Sequence, residues 1–283
     1  MREITNIKPN PVLLLIVGCL ISNPVTAQTI NIAPLPEKPE VDGRDTDWQT
    51  VNGEVVPVTG PLAVSSVLVK AGIHDDHIYF LFRWPDTQAD TKHKPFIWDA
   101  EKKRYIKGPQ REDRFAVQFA MAGEYDVNWL SGNSFRADMW HWKAARSNPL
   151  GLAHDKMTII GTDPVRKAYK AKTDDGHTRY IQRPSDAGGK LYTTTRYRQY
   201  ESDIMPKYLL NRSVTGSVAD VKAKGVWHDG FWTLELQRKL NTGHADDVVF
   251  VSGKTIAGGI TVFDRSGDDQ HNISANLLFS ISD

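Results

Sequence analysis

One short stretch of the sequence, ADMWHWKAAR at residues 137–146, sets a thioether, an imidazole and an ammonium group among two indole rings. Side chains of an extended strand alternate between its faces, so Met139, His141 and Lys143 share one face and Trp140 and Trp142 share the other. The first face carries groups able to hold a ligand, and the second has the composition of a core. The alternative is a core strand whose other face is merely solvated.

Adjacent carboxylates are the next candidates, because paired carboxyl groups can hydrolyse glycosidic bonds. The pairs are Glu112 with Asp113, Asp246 with Asp247, and Asp268 with Asp269. Sequence neighbours on a strand point to opposite faces, and each pair lies in a predicted turn, where carboxylates are usually solvated. No GxSxG, HExxH, P-loop or dinucleotide motif occurs either, so we predict that the chain is not an enzyme.

The nine histidines are scattered along the chain. His74 and His77 have a close spacing but lie in a polar turn beside two aspartates, which favours a surface position. His141 and His271 each lie beside an apolar, strand-like stretch. A buried histidine in such a place commonly has a structural role, and it can also ligate a metal ion.

Composition excludes several classes of function. Cys19 is the only cysteine, so an exported domain beginning after it has no internal disulfide, thiolate metal site or cysteine nucleophile, and no CxxCH site for covalent haem attachment. Without residues 1–27 the chain keeps 33 basic and 33 acidic side chains. This balance argues against a nucleic-acid-binding protein.

The amino terminus has the pattern of an export signal. A basic-leaning leader, the apolar run PVLLLIVGCLI and small residues before Gln28 predict a signal peptide at residues 1–27. The alternative is a lipoprotein signal that ends before Cys19 in the sequence IVGC. Either reading places the mature chain outside the cytoplasm, in the periplasm. Residues 28–40 contain three prolines and are predicted to be a linker, followed by a single domain at 41–283.

Short apolar runs separated by turn residues predict an all-β fold, an antiparallel β-sandwich. In GVWHDGFWTLELQRKL at 225–240, Asp229 and Gly230 predict a two-residue hairpin turn, followed by a strand with one buried and one wet face. Residues 162–212 break the pattern, with eleven Lys and Arg against six Asp and Glu and with six tyrosines. We predict a long, irregular, polar insertion there, which either crosses one end of the sandwich or covers a ligand or an acidic partner.

Six stretches, in order, resemble the haem-binding domain family of ethylbenzene dehydrogenase gamma subunits. That family comprises exported b-type cytochrome subunits of molybdenum oxidoreductases of the dimethyl sulfoxide reductase superfamily. The matching stretches are VDGRDTDWQ at 41–49, DDHIYFLFRWPD at 75–86, REDRFAVQFAM at 111–121, ADMWHWKAAR at 137–146, WHDGFWTLELQRKLNTG at 227–243 and ITVFDRSGDDQH at 260–271.

The resemblance implies a β-sandwich similar to carbohydrate-binding module family 9, with one non-covalent haem b held inside it between a methionine and a lysine. The lysine's position falls on His271, an imidazole that is also a good iron ligand. The methionine's position falls on Gln118, a poor ligand. Met121 lies three residues further and would need a β-bulge to turn toward the haem.

The strand of the opening stretch supplies the other candidates for the second axial ligand. These are Met139 and His141, and Lys143 would pair with a haem propionate. On this interpretation the two tryptophans of the strand pack the core while its other face lines the haem site.

The resemblance implies an electron-transfer function without bond chemistry. The partners it implies are molybdenum oxidoreductase catalytic or iron–sulfur subunits, a membrane cytochrome b or a c-type cytochrome. One alternative is a carbohydrate-binding module with Trp84, Trp98 or Trp129 as stacking platforms. The other, raised by Gln118, is a haem-free docking subunit of the same family.

Overall fold

A computed structural model describes residues 27–173, 175–268 and 270–282. The predicted signal peptide apart from Ala27, and with it Cys19, lies outside the described residues. The strands are β1 (Gln28–Pro34), β2 (Glu54–Thr59), β3 (Ser66–His74), β4 (His77–Pro85), β5 (Phe96–Asp99), β6 (Arg104–Lys107), β7 (Arg114–Gly123), β8 (Phe135–Lys143), β9 (His154–Gly161), β10 (Tyr169–Lys172), β11 (Thr178–Gln182), β12 (Tyr192–Thr194), β13 (Ile204–Met205), β14 (Tyr208–Leu210), β15 (Lys222–His228), β16 (Phe231–Lys239), β17 (Thr255–Phe263), β18 (Asn272–Ser274) and β19 (Leu277–Ile281).

Helical structure is limited, in this described part, to short 3-10 turns at Thr46–Trp48, Asn148–Leu150 and Ser217–Ala219. No helix there has the length and apolar character needed to traverse a bilayer.

Most strands belong to one hydrogen-bonded path, β10-β11-β9-β8-β7-β17-β18-β2-β3-β4-β16-β15, with β1 and β19 alongside. Pairing along the path is antiparallel, and β1 runs parallel to both β19 and β3. The path folds over at β18 and β2, so that β8, β7 and β17 face β3, β4 and β16. The predicted antiparallel β-sandwich is confirmed.

Aromatic rings from the two layers meet in the core. The Phe80 and Phe119 ring centroids lie 5.6 Å apart, and the Trp142 ring lies 6.2 Å from that of Trp84 and 5.0 Å from that of Trp232. The first pair is tilted and the two tryptophan contacts are edge-on, and such ring contacts stabilise the core beyond the apolar area that they bury. The tryptophans of the opening stretch therefore pack the core, as the alternation predicts.

The predicted hairpin joins β15 to β16. Asp229 and Gly230 have φ angles of 49° and 80°, which a type I′ turn requires. The prediction of a wet face on β16 is wrong at Glu235 and Gln237, which are 1 % and 6 % exposed. Both side chains have polar partners, because Glu235 accepts hydrogen bonds and the Gln237 amide donates to the Tyr79 hydroxyl at 3.3 Å.

The predicted linker at residues 28–40 is wrong in its first half. Residues 28–34 form β1, which pairs with β19 and then with β3 and so ties the two layers together. Ile30 and Ile32 are buried with exposures of 1 % and 0 %. The alternation of isoleucines with polar residues in QTINIAP is a strand pattern that the prolines of the following segment obscured.

The insertion at residues 162–212 is more regular than predicted. β10 and β11 extend the sheet beyond β9, β12 pairs with β14, and β13 pairs with β5. The segment is therefore built into one end of the sandwich.

The prediction that the carboxylate pairs are solvated is wrong for the first pair and for Asp247, whereas Asp268 is exposed. Glu112 and Asp113 are fully buried and Asp247 is 4 % exposed. Glu112 accepts hydrogen bonds from the Ala145 amide at 2.6 Å and from the Arg146 guanidinium. These carboxylates tie turns to the sheet, and turn composition alone does not reveal that role.

Candidate functional site

Three strands of the first layer, β7, β8 and β17, form the floor of a cavity of about 410 Å³. Gln118 on β7 pairs across the ladder with Met139 on β8, and Ala116 pairs with His141, so these side chains share one face. The walls come from the loop after β7, which contributes residues between 125 and 129, from Asp268, His271 and Ile273, and from Arg183. The lining residues are Ala116, Gln118, Tyr125, Val127, Asn128, Trp129, Met139, His141, Arg183, Gly259, Thr261, Phe263, Asp268, His271 and Ile273.

The cavity lies on the outer face of this layer. Trp140 and Trp142 point into the space between the layers, so Met139 and His141, which alternate with them, point away from it. The expectation of a haem inside the sandwich is therefore corrected: the site the structure offers is on the sheet's opposite face, beneath the loops.

His141 is the most unusual side chain of the cavity. It is 3 % exposed, and neither Nδ1 nor Nε2 has a hydrogen-bond partner among the described residues. Burial lowers the pKa of His141 well below its ordinary value of 6.5, and the positive charges of Lys143 and Arg114 lower it further. The imidazole is therefore neutral, the form that ligates metal ions.

His271 also lines the cavity and is half-buried. Its Nδ1 is 3.1 Å from the backbone oxygen of Asp268, so Nδ1–H donates there and Nε2 keeps its lone pair. Burial lowers the pKa of this imidazole as well. A backbone carbonyl that fixes the tautomer in this way is the usual outer support of a metal-binding histidine.

Phe263 connects the two histidines. Its ring centroid lies 5.8 Å from that of His141 and 5.2 Å from that of His271. The three rings form one continuous aromatic surface in the cavity. No separate sequence pattern pointed to Phe263, although it lies within the matching stretch at 260–271.

The polar atoms of Met139 and Gln118 form hydrogen bonds with each other and with neighbouring side chains. The Gln118 amide donates to the Met139 sulfur at 3.5 Å and to Thr158 Oγ1 at 3.3 Å, and its oxygen accepts from the Tyr125 hydroxyl at 3.3 Å. The Met139 sulfur also accepts from Thr158 Oγ1 at 3.8 Å. Both residues line the cavity, but their polar atoms have partners and those of His141 do not.

Met121 is not in the cavity. The register of β7 and β8 shifts between Ala120 and Ala122, so the expected bulge is present. Met121 nevertheless packs against the main hydrophobic core. The structure therefore separates this candidate ligand from His141 and His271.

Lys143 does not line the cavity either. Its side chain is buried, and its Nζ lies 2.7 Å from Nδ1 of His154, whose Nε2 lies 2.7 Å from Ser185 Oγ. The side chain lies on the predicted face of β8, but its ammonium group contacts His154 and does not line the cavity. The expected pairing with a propionate does not fit this placement.

Arg183 is the cation that lines the cavity instead. Its guanidinium lies 5.9 Å from the Trp129 ring, and one of its nitrogens is 3.6 Å from Asp268, which also accepts from Arg114. Arg183 belongs to the basic insertion, so the excess of Lys and Arg there was its only sequence signal.

These residues fit a haem. Two neutral imidazoles face one cavity of a size that suits a cofactor, rings of Phe263 and Trp129 supply apolar walls, and Arg183 is available to a carboxylate. The two unpartnered nitrogens of His141 are the observation that a purely structural role leaves unexplained.

Trp84, one of the three predicted sugar-stacking rings, is 1 % exposed and packs the core, so it cannot form a stacking platform. Trp98 packs edge-on against Tyr105 and Tyr200, and Trp129 lines the cavity.

Comparison with known proteins identifies one matching family model and several solved structures of low sequence identity. The family model described as ethylbenzene dehydrogenase matches residues 29–274. A family 9 carbohydrate-binding module from Caldicellulosiruptor kristjanssonii, in complex with glucose, is 10 % identical over 88 % of this chain and 85 % of that chain, with a TM-score of 0.42. A candidate carbohydrate-binding protein from Bacteroides uniformis is 9 % identical over 89 % and 91 %, with a TM-score of 0.43. The search of curated proteins finds no match.

Proposed function

The chain belongs to the ethylbenzene dehydrogenase family, and we propose that it is an exported, non-covalent haem b protein that carries single electrons between a redox enzyme and a cytochrome. The observation that supports the proposal is one cavity lined by both His271 and His141, whose ring nitrogens have no hydrogen-bond partner among the described residues. Haem b bound there supplies a one-electron iron couple.

His271 and His141 are the two axial ligands we propose. Nε2 of His271 is oriented by the Nδ1 contact with Asp268, and neither nitrogen of His141 has a hydrogen-bond partner in the described part of the chain. Met139 is the weaker candidate because its sulfur already accepts two hydrogen bonds. A pair of imidazoles gives a lower reduction potential than histidine with methionine.

The remaining residues of the cavity control its surroundings. Phe263 and Trp129 would exclude water from a bound haem, and Arg183, rather than Lys143, would be available to pair with one of its carboxylates. Gln118 holds Met139 and Tyr125 in position and binds no iron itself. Its presence at the family's methionine position therefore does not argue for loss of the haem.

The proposed location is the periplasm, after removal of residues 1–27. The proposed partners are the catalytic or iron–sulfur subunits of a molybdenum oxidoreductase, a membrane cytochrome b or a c-type cytochrome. These proposals follow from the family and from the amino-terminal sequence.

A reduced-minus-oxidised visible spectrum of the protein purified from an exporting host tests the proposal. We expect a Soret band that shifts on dithionite reduction, with one haem b per chain. His271→Ala should lose most of this haem, whereas His228→Ala, which changes a histidine whose side chain is 82 % exposed, should keep it. A folded, colourless protein that has been supplied with haem, with or without affinity for glycans, would refute the proposal.

A further inference from the structure

A second group of polar side chains lies apart from the cavity, on the core side of the first layer. Asp138 on β8, Asp155 on β9, Asp186 and Asp247 each offer a carboxylate oxygen, and these oxygens lie within 4.8 Å of one another. Their exposures are 0 %, 0 %, 7 % and 4 %. We call these four residues the aspartate cluster.

One guanidinium accompanies the aspartate cluster. Arg238, fully buried, lies 2.5 Å from Asp138 Oδ2 and 3.4 Å from Asp247 Oδ1. It also donates to the Val248 carbonyl. If all four carboxyl groups were ionised, one guanidinium would not balance them, and an uncompensated buried charge is strongly unfavourable.

Part of the cluster is satisfied by the protein. Asp138 Oδ2 accepts from Arg238 and from the Val248 amide at 3.0 Å. Asp247 accepts from the hydroxyls of Ser217 and Thr242. These oxygens therefore need no further partner.

Four other oxygens of the cluster are buried and have no hydrogen-bond partner in the described part of the chain: Asp138 Oδ1, Asp155 Oδ2 and both oxygens of Asp186. Asp155 Oδ2 is 4.0 Å from Arg238, beyond hydrogen-bond distance. Burial and the charge of Asp138 together raise the pKa of Asp186 to about 8. These carboxyl groups are therefore more stable with a bound proton or cation than as ionised groups without a partner.

We propose that Asp138, Asp155 and Asp186 bind one Ca²⁺ ion through these oxygens. Hard divalent cations prefer carboxylate oxygens, which excludes the soft metals that favour sulfur and nitrogen. Mg²⁺ keeps several waters and demands octahedral geometry, whereas Ca²⁺ accepts protein oxygens in flexible arrangements. A fully buried set of carboxylates therefore suits Ca²⁺ better.

The ion would join β8 and β9 to the loop that contains Asp186. The same loop includes Arg183, which lines the haem cavity, and Ser185, which contacts His154. Ca²⁺ binding would thus fix the loop on the sheet from the core side.

Calcium content and thermal unfolding of the mature chain test this inference. We expect one Ca²⁺ per chain by elemental analysis, a melting temperature that falls by about 5–10 °C in EGTA, and recovery with Ca²⁺ but not with equal Mg²⁺. Asp186→Asn should fold, bind no Ca²⁺ and show no change of melting temperature in EGTA, because the amide keeps the size of the side chain but removes the carboxylate charge.

Asp86→Asn is the matched control, since Asp86 is a buried aspartate of a different acidic group with one unpartnered oxygen. It should retain one Ca²⁺ and the response to EGTA. If the wild-type chain binds no Ca²⁺ and EGTA leaves its melting temperature unchanged, the inference is wrong and the carboxyl groups share protons instead. Neither measurement depends on haem, so this result and that of the visible spectrum are independent.

Discussion

Among single residues, His141 most needs an explanation, because both of its ring nitrogens are buried without a hydrogen-bond partner among the described residues. Leaving a buried polar group without a partner costs about 1–3 kcal/mol, and an apolar residue of similar size would avoid that cost. His141 nevertheless lines a cavity, with its pKa lowered, together with a second histidine whose tautomer is fixed. Under the proposed function, iron would be the partner that His141 lacks among the described residues.

The choice between His141 and Met139 as second ligand can be tested with two leucine variants. We expect Met139→Leu to keep the low-spin ferric spectrum of a bis-imidazole haem, because leucine fills a similar volume. His141→Leu should lose that spectrum and lower haem affinity by more than the roughly 10–100-fold typical of losing an outer-shell partner. Electron paramagnetic resonance of the ferric protein distinguishes the two.

The opposite pattern, with Met139→Leu losing the low-spin spectrum and His141→Leu keeping it, would make Met139 the ligand. Circular dichroism of both variants serves as the folding control.

Sequence patterns predicted part of the site correctly, because alternation along β8 places Met139 and His141 on one face whatever the tertiary fold. The alternation of side chains along a strand does not show how far a cavity extends along its face. The sequence therefore placed Lys143 in the cavity, whereas its ammonium group contacts His154. The bulge at Met121 was foreseen but not its direction, since core packing decides which way a bulged side chain turns.

At the scale of elements, the stretch VDGRDTDWQ has a structural role that explains its place in the family resemblance. Glu235 on β16 accepts from the Asp42 and Gly43 amides at 2.9 and 2.7 Å and from Trp48 Nε1 at 2.7 Å. One buried carboxylate thus fixes the turn that follows β1. These hydrogen bonds explain the residues of this stretch without a role in ligand binding.

Glu235→Gln tests this anchor. An amide has one acceptor oxygen and one donor nitrogen, so either the two backbone amides or the Trp48 indole loses its acceptor. We expect the free energy of unfolding to fall by about 1–3 kcal/mol, measured by urea denaturation. Glu40→Gln, which changes an exposed carboxylate of the same segment, should stay within about 0.5 kcal/mol of wild type. Equal stability of the two variants would contradict the anchoring role.

Strand existence was predictable where alternation and turn chemistry agree, as in the hairpin at Asp229 and Gly230. β1 was missed because prolines follow it closely, and a proline-rich composition outweighed the Ile30–Ile32 alternation. The buried face of β16 was missed because the partners of Glu235 lie nearly two hundred residues away in sequence. Such long-range partners leave no local signal.

At the scale of the molecule, the sandwich separates two tasks between the faces of one sheet. The inner face of β8 packs tryptophans against the second layer, and the outer face presents Met139 and His141 to the cavity. A rigid core on one side keeps the two histidines at fixed positions on the other. A haem under surface loops would also lie near the protein surface, where an electron partner can approach.

The location of iron tests the central claim most directly. Crystals of the mature chain grown with haem and measured at the iron absorption edge should contain one anomalous peak per chain. We predict that the peak lies in the cavity, bonded to imidazole nitrogens of both His141 and His271. An iron peak at any other place, or none in crystals of the folded protein grown with excess haem, would contradict the account.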